Sequence, residues 1–271
     1  MTSKIFLFNV LYLGDIFGKA GRNVVRDFLP ELKRQLEVDL VIANSENAMG
    51  GRGISPSLAE ELFGYGIACL TGGNHSFYAK EIEPYLENEP RLLRPANYPD
   101  PCPGNFYAIL DTHQGFKVAV GNLMGRVFIP FSLDCPFKAA DKMLQRMHQE
   151  GGDNLITIID FHAEATAEKK AMAFYLDGKV SALVGTHTHV QTSDAQILPQ
   201  GTAYITDLGM TGPQKSIIGM EPKPVLKSFL LGRKFSFHEA KSNPSMQGAL
   251  MSFGEDGKAV AIETFNYPKV F

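Results

Sequence analysis

The chain has 271 residues, of which 44% are hydrophobic and 20% are charged, and its formal net charge at pH 7 is -3. This composition is typical of a globular protein, and the length suits a single domain spanning residues 1–271. The net charge excludes attraction of the whole chain to nucleic acid. The sequence contains no lysine or arginine run, although a local basic patch is compatible with it.

The cysteines and the amino-terminal segment both indicate an intracellular protein. Cys69, Cys102 and Cys135 are odd in number and widely spaced, so the sequence predicts neither a disulfide framework nor a thiolate zinc site. Lys4 precedes an apolar run, as in a signal peptide. However, Asp15 ends that run at the length of a buried strand, and no small-residue cleavage site follows. We therefore predict a cytoplasmic protein without a membrane span.

Apolar runs rich in β-branched and aromatic residues alternate with segments of helical period, which is the pattern of an α/β fold. Ser55 and Asp134 each stand shortly before a proline and are predicted as helix N-caps. The predicted helices are residues 21–38, 55–66 and 134–152. The predicted strands are residues 4–13, 39–44, 67–71, 106–111, 116–123, 154–160 and 180–185.

The pattern changes after residue 190 to segments that read as antiparallel additions to the sheets. Strands are predicted within residues 195–207 and 234–240, and a hairpin over residues 248–265 turns at Asp256 and Gly257. Residues 94–105 are rich in proline and predict a surface loop, in which Arg94 is expected to form a structural salt bridge.

Two histidines stand one residue apart in "GTHTHV", directly after an apolar run. In a strand, side chains at i and i+2 face the same way, so His187 and His189 would present two imidazoles to one point. An isolated pair of this kind is more often one buried and one solvated histidine. A functional interpretation therefore requires partners elsewhere in the chain.

Such partners follow the other predicted strands, at the edge where open α/β sheets place their ligands. Singly, each has a structural explanation as a helix cap, a turn residue or a core histidine. Together, their carboxylate, amide and imidazole groups suit divalent Mn, Fe or Zn, and they exceed what one tetrahedral ion needs. The sequence therefore predicts two metal ions and displacement at phosphorus. The residues are Asp15, Glu46, Asn47, Asn74, His75, His162, His187 and His189.

These motifs carry a family resemblance. "GD" at residues 14–15, "GNH" at 73–75, His162 and "GTHTH" at 185–189 resemble the signature of calcineurin-like metallophosphoesterases. The bacterial YmdB-type branch is resembled across nearly the whole chain, through "FGKAGR", "VIANSENAMGG", "RLLRPANYP", "LDCPFKAAD", "DFHAEATAEK", "VGTHTHVQT" and "AYITDLGMTGP".

The resemblance implies an α/β fold, specifically a four-layer α/β/β/α sandwich of two mixed sheets flanked by helices. It also implies hydrolysis of phosphodiesters, with 2′,3′-cyclic nucleotides as the substrate class, and two divalent metal ions, whether Fe, Mn or Zn. A hydroxide that bridges the metals would attack phosphorus in line. His75 would be the general acid that protonates the departing ribose oxygen. The implied metal ligands are Asp15 and His189 on one ion, Asn74, His162 and His187 on the other, and Glu46 between them.

Asn47, Asp194 and Asp207 are further candidates for functional residues near the metal ligands. Asn47 would bind substrate or orient Glu46, and the alternative interpretation is an Asx-turn that leads into the following loop. Asp194 and Asp207 would orient ligand imidazoles by hydrogen bonds.

The chain departs from the family patterns in three places. Asp15 lacks the histidine that follows two residues later in the superfamily, and Glu46 with Asn47 replaces a Gly-Asp pair; both changes match the YmdB-type branch. That branch usually has a tryptophan and an acid after its Asn-His, whereas this chain reads "NHSFYAKE" and contains no tryptophan. This third departure concerns the shape of the substrate pocket.

Two other functions remain compatible with the sequence. The same metal core would serve a phosphomonoesterase or a 3′,5′-cyclic nucleotide phosphodiesterase. Alternatively, a regulatory protein of RNA metabolism would use the fold to bind RNA or an RNA-processing partner. The resemblance also favours a homo-oligomer.

Overall fold

The predicted alternation of strands and helices is realised as two β-sheets with helices on their outer faces. A computed structural model of the chain describes residues 7–112, 114–152 and 155–269, so the predicted strand starts at Lys4 and Asn154 lie outside the described residues. The helices are α1 (Gly18–Gln35), α2 (Pro56–Gly64), α3 (Ile82–Asn88), α4 (Pro136–Gly151), α5 (Thr166–Leu176) and α6 (Pro222–Leu231). The strands are β1 (Phe8–Leu13), β2 (Asp15–Ile16), β3 (Leu40–Asn44), β4 (Cys69–Thr71), β5 (Leu92–Leu93), β6 (Tyr107–Asp111), β7 (Lys117–Met124), β8 (Leu155–His162), β9 (Ala182–Thr186), β10 (Gln196–Ile197), β11 (Ala203–Ile205), β12 (Met210–Pro213), β13 (Pro244–Phe253) and β14 (Ala259–Tyr267).

The two sheets pack face to face, and helices cover their outer faces, so the central strands are buried on both sides. The larger sheet has the order β2-β12-β13-β1-β3-β4-β5, with β14 beside β13, and the smaller has the order β10-β11-β9-β8-β7-β6. Val10 and Ile42 of the larger sheet share one apolar cluster with Val120 and Ile158 of the smaller. The outer faces pack against α1, α2 and α3 on one side and against α4 and α5 on the other. This arrangement confirms the predicted four-layer α/β/β/α sandwich.

A buried carboxylate joins the sheets near the carboxyl ends of their parallel strands. Asp160 of β8 accepts hydrogen bonds from Tyr12 Oη (3.3 Å), Asn44 Nδ2 (2.9 Å), Thr71 Oγ1 (2.5 Å) and Thr186 Oγ1 (2.7 Å). These donors come from β1, β3, β4 and β9. Together with β8, which carries Asp160, five strands of both sheets are therefore connected through one side chain. A buried carboxylate is tolerated only when such bonds replace its hydration.

Several local predictions are confirmed by backbone geometry. Ser55 caps α2 by accepting a hydrogen bond from the Leu58 amide (3.4 Å), with Pro56 at the first helical position. The hairpin of β13 and β14 turns through Asp256 and Gly257, and the glycine has φ +73°, a conformation that costs glycine little.

Other local predictions are wrong. Residues 234–240 form no strand, and only Glu239 makes an isolated bridge, to Met220. The N-cap of α4 is Cys135 instead of Asp134, and no side chain caps it. The strand at Ala203–Ile205 is parallel to β9, so it is not wholly an antiparallel addition. Helices α3, α5 and α6 were not predicted.

None of the helices in the described residues combines the length and the apolar character that a membrane crossing requires.

Candidate metal centre

The predicted donor residues converge at one edge of the sandwich. Each lies at or just beyond the carboxyl end of a strand, and both sheets contribute. The larger sheet supplies Asp15 just after β1, where β2 begins, Glu46 and Asn47 after β3, and Asn74 and His75 after β4, while the smaller supplies His162 at the end of β8 and His187 and His189 after β9.

The histidine pair of "GTHTHV" does not lie in a strand. β9 ends at Thr186, and His187 and His189 have φ angles of +104° and +62°, in the left-handed region that side chains rarely adopt. The prediction that strand geometry aims both imidazoles at one point is therefore wrong. The turn instead directs them to two different groups of donors, and such backbone strain is often found at functional sites.

One group surrounds the Nε2 atom of His162. That atom lies 3.1 Å from Asn74 Oδ1, 3.2 Å from Glu46 Oε1 and 3.0 Å from His187 Nδ1. Ligands bonded to one metal at about 2.1 Å, with angles between octahedral and tetrahedral values, lie about 3.0 to 3.4 Å apart. The spacing of these atoms therefore matches the edges of a coordination polyhedron. Glu46, His162 and His187 also form a set of mutually close ligand atoms.

A second group lies around Asp15. Its Oδ1 atom is 3.8 Å from His189 Nε2, which in turn is 3.1 Å from Asn47 Oδ1. Asp15 Oδ1 is buried and has no hydrogen-bond partner among the described residues, whereas Oδ2 accepts a bond from the His187 amide (3.1 Å). An unpartnered buried carboxylate oxygen is costly, and a cation would remove that cost.

The outward nitrogens of two imidazoles are held by acceptors. His162 Nδ1 lies 2.9 Å from Thr186 Oγ1, and that hydroxyl donates its own proton to Asp160 Oδ1. His189 Nδ1 lies 3.0 Å from the carbonyl oxygen of Ile218, which can only accept. Both Nδ1 atoms therefore carry protons, so the Nε2 atoms are the positions of both rings that a cation could bind. This is the usual support of metal-binding histidines.

His187 is held in the same way by a residue that the sequence did not identify. Its Nε2 atom lies 3.0 Å from Glu164 Oε2, which leaves Nδ1 facing the donor group of His162. Glu164 is half-exposed and follows β8 in an irregular turn. Its position two residues after His162 was the only signal in the sequence.

The charges of the site also favour cations. Burial raises the pKa of Asp15 to about 6. Burial also opposes ionisation of Glu46, but the charges and hydrogen bonds of His162 and His75 outweigh it and hold its pKa well below the usual value. For His162, burial is outweighed by Glu46, which raises the pKa to about 9, whereas burial and the charge of His162 lower the pKa of His187 to about 3. Buried carboxylates thus draw positive charge into the site, and divalent cations would supply it.

A buried ion pair fixes the loop between the two histidines. Asp207 accepts bonds from Lys169 Nζ (2.7 Å) and from the amide of Thr188 (3.1 Å). Asp194 instead bonds Thr192 and Thr206. The prediction that these two aspartates orient imidazoles directly is therefore wrong. Asp207 bonds the backbone between the two histidines, and Asp194 bonds two threonines instead of an imidazole.

His75 lies at the open side of the centre. Its amide donates to Glu46 Oε2 (3.0 Å) and its Nδ1 atom is 3.2 Å from Glu46 Oε1, while 29% of the side chain remains exposed. The preceding turn requires Gly73, because a Cβ atom there would collide with Glu46 and His162. The loop therefore presents Asn74 to the donor group and His75 to the solvent-facing side.

Comparison with known proteins identifies the family. The sequence matches the family described as "YmdB-like protein" over residues 11–265. The chain belongs to the YmdB-like family. This YmdB-like chain is 41% identical over 255 residues to the 2′,3′-cyclic-nucleotide 2′-phosphodiesterase of Bacillus subtilis, covering 94% of this chain and 95% of that protein.

Two solved structures resemble the YmdB-like chain over nearly its whole length. A hypothetical protein from Thermus thermophilus shares 40% identity with a TM-score of 0.88, covering 96% of this chain and 99% of that one. A novel phosphatase from Mycoplasma pneumoniae shares 33% identity with a TM-score of 0.88, covering 97% of this chain and 94% of that one. The family and the fold implied by the motifs are therefore confirmed.

An aromatic rim of Phe77, Tyr78, Tyr98 and Phe131 lies beside His75. Phe77 packs its ring edge-on against Tyr98 (5.1 Å between centroids), and Tyr98 contacts Phe131 (6.5 Å). Tyr78 stands edge-on to His75 at 6.4 Å and is 54% exposed. The site of this YmdB-like protein thus opens beside rings that can stack on a nucleobase.

Substitution of Glu164 tests its support of His187. We expect Glu164→Ala to weaken metal binding by about 10–100-fold, because His187 loses the acceptor that fixes its tautomer. Glu164→Gln should restore most of the affinity, since the amide oxygen accepts the same bond. Titration of Mn²⁺ into metal-free protein measures both effects, with the exposed Glu87→Ala as control. Unchanged affinity in Glu164→Ala would show that the contact does not support a ligand.

Proposed function

We propose that this protein is a phosphodiesterase that hydrolyses 2′,3′-cyclic nucleotides with two divalent metal ions. The observation that carries the proposal is the orientation of three imidazoles, each bonded outward to an acceptor and aimed inward at carboxylate and amide oxygens. Histidines that only fill space in a protein core would not need all three rings to point their second nitrogen at carboxylate and amide oxygens. The similarity to the Bacillus subtilis enzyme supports the choice of substrate.

The ligands divide between the two donor groups. Asp15, Asn47 and His189 would hold one ion, and Asn74, His162 and His187 the other. Glu46 touches the second group through His162, and its role as the bridge follows from the resemblance. Asn47 is reassigned from the substrate to the first ion, because its Oδ1 atom faces His189 Nε2 (3.1 Å) while its Nδ2 atom donates to Gly51 O (2.9 Å).

Iron, manganese and zinc all fit these nitrogen and oxygen donors. When bound, two such cations lower the pKa of a shared water and offset charge on the phosphoryl oxygens.

His75 supplies the proton that the leaving group needs. Attack of a water-derived hydroxide on phosphorus breaks one P–O bond of the cyclic ester, and the departing ribose oxygen takes a proton from the imidazolium. Glu46 Oε1, 3.2 Å from His75 Nδ1, orients the ring. The products are a ribose hydroxyl and a phosphomonoester.

A substrate panel tests this proposal. Metal-loaded protein should turn over 2′,3′-cyclic AMP with a larger kcat/KM than 3′,5′-cyclic AMP or p-nitrophenyl phosphate. Activity on the aryl phosphate without activity on 2′,3′-cyclic AMP would favour a phosphomonoesterase instead. Preference for 3′,5′-cyclic AMP would keep the phosphodiesterase chemistry and change the substrate.

Homo-oligomerisation and an RNA-processing partner remain predictions from the resemblance.

A further inference from the structure

A groove of about 400 Å³ lies between α4 and the proline-rich segment 94–106. One wall is the segment itself, with Arg94, Tyr98 and Phe106, and the other is the exposed face of α4. Lys138, Lys142 and Arg146 line that second wall. Residues four apart lie on one helix face and are separated by about 6 Å along the axis, so these cations form a regular row.

Basic side chains outnumber acidic ones in the groove. Lys138 and Lys142 are exposed and form no ion pair with any residue in 7–112, 114–152 and 155–269. Arg146 lies over the Phe106 ring at 5.6 Å. Asp100 and Asp134 also line the groove, so four basic side chains, Arg94 included, face two acidic ones. The groove is thus a local basic patch on a chain whose net charge is -3.

Arg94 is buried in the wall and forms no salt bridge within the part of the chain that the structure describes. Its guanidinium donates to the carbonyl oxygens of Pro95 (2.9 Å), Cys102 (2.8 Å) and Pro103 (3.1 Å). The expected structural salt bridge is therefore wrong. The carbonyl groups satisfy the donors and shape the loop, so the guanidinium adds positive charge beside the groove, and Asp100 offsets part of it.

The groove lies beside the aromatic rim of the candidate metal centre. Tyr98, which lines the groove, packs against Phe77, two residues beyond His75. Asn97 accepts a hydrogen bond from the amide of Met124 (2.9 Å), and Met124 pairs with His162 across β7 and β8. The row from Lys138 to Arg146 therefore runs away from the centre along α4, beginning near the aromatic rim.

We propose that this groove binds the upstream phosphates of an RNA strand whose 3′ end carries a 2′,3′-cyclic phosphate. The proposal rests on the proposed function and extends its substrate class from mononucleotides to oligoribonucleotides. The terminal nucleotide sits at the metal centre, its neighbours stack on Tyr98 and Phe106, and their phosphates meet Lys138 and Lys142. Basic grooves with interleaved aromatic rings bind single-stranded nucleic acid in this way.

Kinetics on two substrates provide the first test. We expect wild-type metal-loaded protein to hydrolyse a hexaadenylate ending in 2′,3′-cyclic phosphate with a kcat/KM about tenfold above that for 2′,3′-cyclic AMP. Lys138→Glu combined with Lys142→Glu should remove this advantage and leave turnover of 2′,3′-cyclic AMP unchanged. The slope of log kcat/KM against log salt for the hexamer should become shallower by about 1.4, since each phosphate contact contributes about 0.7 on single strands.

A matched control uses the same change elsewhere on the surface. Lys223 and Lys227 are exposed and four residues apart on α6, outside the groove, so replacing both with glutamate alters net charge equally. This variant should retain the preference for the hexamer. Equal loss in both double variants would show a general charge effect and overturn the proposal, as would equal kcat/KM for hexamer and mononucleotide in the wild type.

Binding measured without turnover separates this proposal from the proposed function. Fluorescence anisotropy of a 5′-labelled hexaadenylate 3′-phosphate should show a loss of affinity of about tenfold in the α4 variant alone. If 2′,3′-cyclic phosphates are not hydrolysed but this loss is observed, the proposed function fails and the RNA groove stands. If hydrolysis is observed but a glutamate hexapeptide competes as well as the RNA, the groove does not recognise RNA and the proposal fails.

Discussion

Replacement of His75 by glutamine is expected to lower kcat for 2′,3′-cyclic AMP by about 10²–10⁴-fold while both metal ions remain bound. Glutamine retains much of the shape and a polar contact to Glu46, but it cannot transfer a proton at neutral pH. Because His75 is not among the proposed ligands, metal content measured by elemental analysis should equal that of the wild type. The change should therefore appear in kcat much more than in metal occupancy.

His148 offers a matched control for that experiment, since it is exposed at the carboxyl end of α4 and lines no part of the candidate centre. His148→Gln should retain wild-type turnover. If His75→Gln also retained wild-type kcat, another group would have to be the acid. If it lost its metals, His75 would have to be counted with the ligands.

Glu46→Gln is expected to give the second large effect, the loss of metal ions together with turnover. Glu46 is 2% exposed and lies 3.2 Å from His162 Nε2, so the substitution keeps the volume and removes a buried negative charge from the donor group. Removing a residue that only supports a ligand costs about 10–100-fold in metal affinity, so loss of a ligand charge should cost more than that. Calorimetric titration with Mn²⁺ measures the affinity directly.

The surface variant Glu87→Gln controls for the loss of one negative charge, because Glu87 is exposed on α3. It should bind two ions as the wild type does. Wild-type affinity in Glu46→Gln would remove Glu46 from the metal centre, and with it the proposed bridge.

Much of the site was predictable from local sequence, because donors that follow parallel strands must meet at one edge of the sheets. The conformation of those donors was not. Strand β9 ends at Thr186, so the pattern of alternating faces stopped just before His187, where positive φ angles take over. Glu164 was missed for a related reason, since a carboxylate in an irregular turn has no periodic signature.

Two of the unpredicted helices, α5 and α6, expose large apolar side chains. In α5, Lys169 is 1% exposed because it pairs with Asp207, whereas Phe174 is 71% exposed. In α6, Phe229 and Leu230 are 80% and 82% exposed. An apolar stripe predicts a helix only when that stripe faces the core, and here tertiary contacts decided the structure instead. Residues 234–240 show the opposite case. Their alternating aromatic residues predicted a strand, but the segment makes only the isolated bridge of Glu239 to Met220.

Anomalous X-ray scattering from crystals of manganese-loaded protein is the most direct test of the metal centre. Two peaks about 3.5–4 Å apart are expected, one within reach of Asp15 and His189 and the other within reach of His162 and His187. Glu46 should lie between them. A single peak, or two peaks that leave either histidine pair without a metal contact, would contradict the two-metal centre on which the proposed hydrolysis depends.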